Sequence, residues 1–204
     1  MARTPKVVED RREQIIDAAM HVFAQKGFAR ATNKDVAREA SITPGLIYHY
    51  FANKEDLLMA VIEARSPLQL VSSLPEEVFT LPPDKFFRLL VTRVLIIVED
   101  EQFVQLLRVL ISELLFRENA HLAQLIPTLL QRVLNFLETY LEAKMKTGAL
   151  RHADSELTAQ AFVGSVLGFV LRRQLLQDAT ALQYTQEQIV ETVVSAVLQG
   201  LLPR

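Results

Sequence analysis

Residues 42–58 read ITPGLIYHYFANKEDLL, and this stretch decides the fold. A proline and a glycine precede a Tyr-His-Tyr cluster, in a chain whose remaining pattern is helical. Pro44 follows Thr43, and proline is favoured in the first helical turn, where the amide it lacks has no partner anyway. The spacing therefore predicts a short helix over 44–51 that begins at the proline. Asn53 then caps a further helix reading KEDLLMAVIEAR, over 54–65.

Upstream, Ile15, Ile16, Ala19, Val22 and Phe23 recur at helical spacing between Asp10 and Lys26. Gly27 stands where a left-handed residue would end that helix, and Phe28 is placed to fold back onto it. Thr32 with Asp35 is a capping-box variant, starting a helix over 33–40. Two short helices joined by a tight turn at Ser41–Thr43, braced by a longer one before them, are the layout of a helix-turn-helix. Ile47 and Phe51 anchor the second helix. Tyr48, His49 and Tyr50 supply hydrogen-bonding groups, and Thr43, Pro44 and Gly45 leave its start open to close approach.

Between Ser66 and Asp84 lie four prolines, with PEEVFT as a helical turn. Beyond them five helices are expected, at about 84–99, 101–117, 119–146, 155–177 and 186–201. Pro127 should kink or interrupt the third of these. The fold class is all-α with about nine helices, divided into a head at 1–53 and a body at 54–204.

Composition narrows function. Half of the 204 residues are hydrophobic, so a core needs no staples, and the absence of cysteine removes thiolate chemistry and disulfides. No secretory leader or membrane-length apolar run is visible, so a cytoplasmic protein without membrane attachment is expected. Net charge is −2, but residues 1–54 carry nine Lys/Arg against six Asp/Glu and the rest thirteen against eighteen. A basic head on an acidic body suits a polyanion at the head. No cofactor is called for and no metal ligand set is apparent. ENAH, Glu118 to His121, matches one half of a di-iron site but has no second half. An enzyme is disfavoured, and a helical scaffold without DNA binding leaves the turn, caps and basic charge of the head without a reason.

RREQIIDAAMHVFAQKGFARATNKDVAREASITPGLIYHYFANKEDLLMAVI, residues 11–62, resembles the DNA-binding head of the TetR family of bacterial transcriptional regulators. The resemblance implies a homodimer that binds a palindromic operator, acts as a repressor and is released by a small-molecule effector. It places DNA-facing residues at Thr32, Asn33, Lys34, Thr43, Pro44, Gly45, Leu46, Tyr48, His49, Tyr50 and Lys54. Lys34 and Thr43 would reach base edges, Gly45 and Leu46 thymine methyls, and Tyr48, His49, Tyr50 and Lys54 phosphates. Arg3, Lys6, Arg11 and Arg12 would add backbone contacts. The last two helices resemble the family's dimer interface, with Phe162, Gly164, Gly168, Val193, Ala196 and Val197 as candidates. Polar residues on apolar body helices, namely Arg93, Arg108, Glu113, Gln131, Asn135 and Arg172, are candidates for the pocket of a partly lipophilic effector.

Overall fold

The computed structural model describes residues 5–116 and 120–202, with the side chains of 5–9, 69, 71–72, 112–116 and 120–125 left aside. Its helices are α1 (Pro5–Lys26), α2 (Asn33–Glu39), α3 (Pro44–Tyr50), α4 (Lys54–Arg65), α5 (Leu68–Ser73), α6 (Pro83–Val98), α7 (Glu101–Phe116), α8 (Ala120–Lys146), α9 (Ser155–Val170), α10 (Ala179–Leu182) and α11 (Gln186–Leu201). The nine expected helices are present, and α5 and α10 are two short additions in segments read as connections. The linker also holds a 3₁₀ turn at Glu76–Thr80, on the PEEVFT segment. The α8 helix continues through Pro127 and is not interrupted there. Buried Leu129, Leu134, Leu137 and Leu141 hold its later turns to the core. The long helix expected over 155–177 ends as α at Val170 and finishes in a π turn, Leu171–Leu175.

The helices form two compact units. One comprises Met1–Ser66 with Glu101–Ile126, and the other Pro67–Asp100 with Pro127–Arg204. In the first, α1 packs against α2, α4 and α7, and α4 also meets α7. Ile15, Ile16, Phe23, Phe28, Val36, Ile47, Leu57, Leu58 and Val61 are fully buried there. Removing such side chains from water contributes roughly 1.5–3 kcal/mol each for the larger ones. Arg65, at the end of α4, bonds Asp17 at 2.7 Å and Glu13 at 2.9 Å on α1.

In the second unit α11 packs against α6 and α9. Its centre is aromatic. Tyr140 of α8 stacks on Phe86 of α6 and donates its hydroxyl to the Leu81 carbonyl at 2.8 Å. Burial pushes the Tyr140 phenol well above its ordinary value, so it stays a donor. Phe87 meets Phe162 of α9 at 4.9 Å between ring centres.

Candidate nucleic-acid interface

The site is built from the end of α1. Gly27 takes φ of +76°, its amide bonds the Phe23 carbonyl at 2.9 Å, and the chain turns. The Phe28 ring then lies edge-on to Phe23 at 5.2 Å and is fully buried, as its position after the glycine predicts.

At the start of α2 the capping box is complete. The Asp35 amide donates to Thr32 Oγ1, and the Thr32 amide donates to Asp35 Oδ2, each at 3.2 Å. Asp35 Oδ1 also accepts from Lys26 Nζ at 2.7 Å and Arg38 Nη2 at 3.2 Å. Lys26 first, and Thr32 after it, hold the Asp35 carboxyl down at about 2, so it is ionised at neutral pH. Thr32 and Lys34 remain exposed, and Asn33 is half-buried.

The turn from α2 to α3 is closed by its own backbone. Ser41 adopts φ of +52°, its amide bonds the Arg38 carbonyl at 3.1 Å, and the Ile42 amide bonds Ala37 at 2.9 Å. These are the two bonds of a Schellman ending. Gln14 of α1 donates to the Ala40 carbonyl at 2.8 Å, so the turn is held from behind.

The seven residues of α3 divide cleanly by exposure. Ile47 and, just beyond the helix, Phe51 are buried, while Pro44, Gly45, Tyr48 and His49 share the exposed face. Leu46 and Tyr50 flank that face, half-buried. Tyr48 is 59% exposed, a large figure for an aromatic ring with no packing task. Thr43 precedes the helix without a side-chain cap bond, leaving its hydroxyl for other partners. Asn53 caps α4 by accepting from the Asp56 amide at 2.7 Å.

Lys54, at the first position of α4, makes its contacts within this chain. Its ammonium donates to the carbonyls of Phe28 at 2.7 Å, Ala31 at 3.1 Å and Ala29 at 3.2 Å. All three hydrogens are used inside the head, 23 to 26 residues back along the chain. The sequence shows a lysine at a helix start, but carbonyl acceptors carry no residue signature, so this contact had no signal.

In the body the polar candidates lie at the surface. Arg93, Arg108, Gln131, Asn135 and Arg172 are exposed. Gln131 donates to Asn135 one turn away, and Arg172 pairs with Asp178 at 2.9 Å. They occupy the outward faces of helices whose inward faces are apolar, which is where polar groups cost least. Arg3 and Glu118 lie outside the described residues, as do the side chains of Lys6, Glu113 and His121. Among the described residues no group of three or more His, Asp or Glu is placed to hold a metal, and no helix is long and apolar enough to cross a membrane.

The interface candidates divide in two. Phe162, 5% exposed, and Val193, 2% exposed, belong to the chain's own core. Gly164, Gly168 and Ala196 are exposed, and Val197 is half-buried. Leu157, Ala161, Ala196, Val197 and Gly200 line an open groove of about 420 Å³ along α9 and α11, with Phe162 also contributing. Arg151, at the same groove, donates to the Gly200 carbonyl and ties down the end of α11.

Comparison with known proteins agrees with this architecture. Residues 15–61 match the family described as bacterial regulatory proteins, tetR family, and residues 87–200, more than half the chain, match the AefR-like transcriptional repressor C-terminal domain. The HTH-type transcriptional regulator HbdR of Aromatoleum sp. (strain CIB) is 46% identical over 59 residues. That match spans 29% of this chain and 26% of HbdR, about a quarter of that relative. Among solved structures, the SmeT–triclosan complex superposes with a TM-score of 0.78 at 23% identity, over 95% of this chain and 92% of that one. SmeT is the repressor of the Stenotrophomonas maltophilia efflux pump SmeDEF. FadR from Bacillus subtilis, bound to stearoyl-CoA, superposes with a TM-score of 0.72 at 24% identity, over 92% of this chain and 98% of its own. With both segments matched and the whole fold shared, the chain belongs to the TetR family of bacterial transcriptional regulators.

Proposed function

We propose that the chain is a ligand-responsive repressor that binds a palindromic operator as a homodimer in the cytoplasm. Residues 1–53 form its DNA-binding part, and 54–204 its effector-binding and dimerisation part. The observation that carries the reading is the division of α3, with Ile47 and Phe51 buried behind an exposed face of Pro44, Gly45, Tyr48 and His49. A short helix gains little from exposing two aromatic rings unless something else covers them. In this assignment Thr32, Asn33 and Lys34 at the start of α2 act with Thr43, Gly45, Leu46, Tyr48, His49 and Tyr50. Lys34 and Thr43 reach base edges, and Tyr48, His49 and Tyr50 phosphates.

The ligands of the two structural relatives, stearoyl-CoA and triclosan, support an effector with a large apolar part. The test is anisotropy of a labelled duplex selected from random DNA by the protein itself. Binding should weaken steeply with salt, as contacts to several phosphates require. Tyr48→Phe should weaken selected and scrambled duplexes evenly. Failure to select any DNA, or affinity indifferent to salt, would favour a helical scaffold.

A further inference from the structure

Five side chains among the described residues hold a buried nitrogen or oxygen without a hydrogen-bond partner, and Glu138 of α8 is the one acid among them. Arg65 and Arg173 leave out a single nitrogen of guanidiniums whose other donors are engaged. Glu138 has no such compensation, for no described residue forms an ion pair with it. Of its neighbours one turn away, Leu134 and Leu141 are buried and apolar. Glu142 is a second acid, paired with Lys146 at 3.7 Å, and Asn135 is exposed and accepts from Gln131. A buried carboxylate oxygen without a donor costs stability that an apolar side chain would not. Such a group calls for a partner from outside the chain.

Leu130, Leu134 and Glu138 follow at intervals of four and so form a single row along α8. Exposure falls along it, from 43% at Leu130 to 8% at Leu134, and Glu138 Oε1 is shut off from solvent. The row spans about 12 Å of helix axis, from an apolar end that faces solvent to a buried acceptor. A ligand suited to both ends carries a donor at its head and an apolar chain behind it. An anionic head would meet two acids there, Glu138 and Glu142, and be repelled, whereas a cationic one forms a charge-assisted bond. We propose that Glu138 is the polar anchor of an effector site along this row. Its ligand is an amphipathic cation, an ammonium or amidinium on an apolar body, that donates an N–H to Oε1. The proposal rests on the effector-binding reading above and narrows the class of ligand.

Two probes of equal chain length and opposite charge test it, decylammonium and decanoate, each titrated calorimetrically into the full-length protein without DNA. Decylammonium is expected to bind about tenfold more tightly than decanoate, or better. Glu138→Gln, close in shape but uncharged, should bring the two within about threefold by weakening decylammonium. Glu138→Met removes the orphaned acceptor altogether. It should lose the same preference and raise the urea midpoint of the ligand-free protein. Equal binding of the two probes by wild type, an unchanged preference in Glu138→Gln, or a lowered midpoint in Glu138→Met overturns the anchor. Release of the selected duplex by decylammonium tests the effector reading separately. Glu138-dependent binding of decylammonium without release would support the anchor and overturn that reading.

Discussion

Asp35 joins the start of α2 to its surroundings through Thr32 on one side and Lys26 and Arg38 on the other. Its carboxyl sits at about 2, against 3.8 ordinarily, held there chiefly by the Lys26 hydrogen bond. A group whose folded value is depressed adds stability above its unfolded value and loses that contribution as pH falls toward the folded one. Stability should therefore decline between about pH 4 and pH 2 through this residue. Asp35→Asn should be less stable at pH 7, and the gap should shrink across that window. Urea melts at pH 6, 4 and 2.5 check this, and a constant gap would mean that the ionised carboxyl is not what stabilises the cap. The capping box was legible because its partners are three residues apart and of fixed chemical type. The Lys54 contacts were not, because every residue has a carbonyl and only the fold decides which ones converge.

The helix-turn-helix depends on one residue in a conformation that most side chains avoid. Ser41 closes α2 with φ of +52°, a position usually occupied by glycine. The left-handed conformation costs an ordinary side chain roughly 1–2 kcal/mol, and the extra freedom of an unfolded glycine cancels part of any relief. Ser41→Gly should stabilise the protein by roughly 0.5–1 kcal/mol. Operator affinity should be unchanged, since the two turn bonds are made by backbone amides. Chemical denaturation together with DNA titration decides it, and a loss of affinity would place the Ser41 side chain at the DNA. Helical spacing located α1 to α4, α6 to α9 and α11 because each has an apolar face repeating every three or four residues. The π turn after Val170 and the four-residue α10 were not foreseen. Both depend on tertiary partners, such as Arg173 donating to the Ala181 and Tyr184 carbonyls and to Glu99. Gln177, at φ of +50°, closes the same region with no sequence signal of its own.

At the scale of the molecule, the proposed dimer turns on the exposed stripe of α9 and the start of the π turn that follows it. Leu157, Ala161, Gly164, Leu167, Gly168 and Leu171 are all exposed, and the first two line the groove shared with α11. The sequence indicated this face through glycines four apart, but it also nominated Phe162 and Val193, which fill the chain's own core. Small and apolar residues read alike whether they meet their own chain or another, so the pattern alone could not separate the two sets. The glycines also supply a test whose sign depends on what covers the stripe. A Cβ placed on Gly164 or Gly168 meets nothing within 4 Å in this chain. Alanine in a helix interior is favoured over glycine by about 1 kcal/mol per site. In an isolated chain, Gly164→Ala/Gly168→Ala should therefore raise stability by about 2 kcal/mol. If a second copy approaches these glycines closely, the added methyls instead separate the helices and lose packing across the interface. We expect the second result. By sedimentation velocity at micromolar concentration the wild-type protein should run as a dimer, and the double variant should shift toward monomer. Its urea midpoint, measured where monomer predominates, should meanwhile rise. A variant that dimerises as tightly as wild type while melting higher would leave this stripe facing solvent and move the interface elsewhere on the second unit.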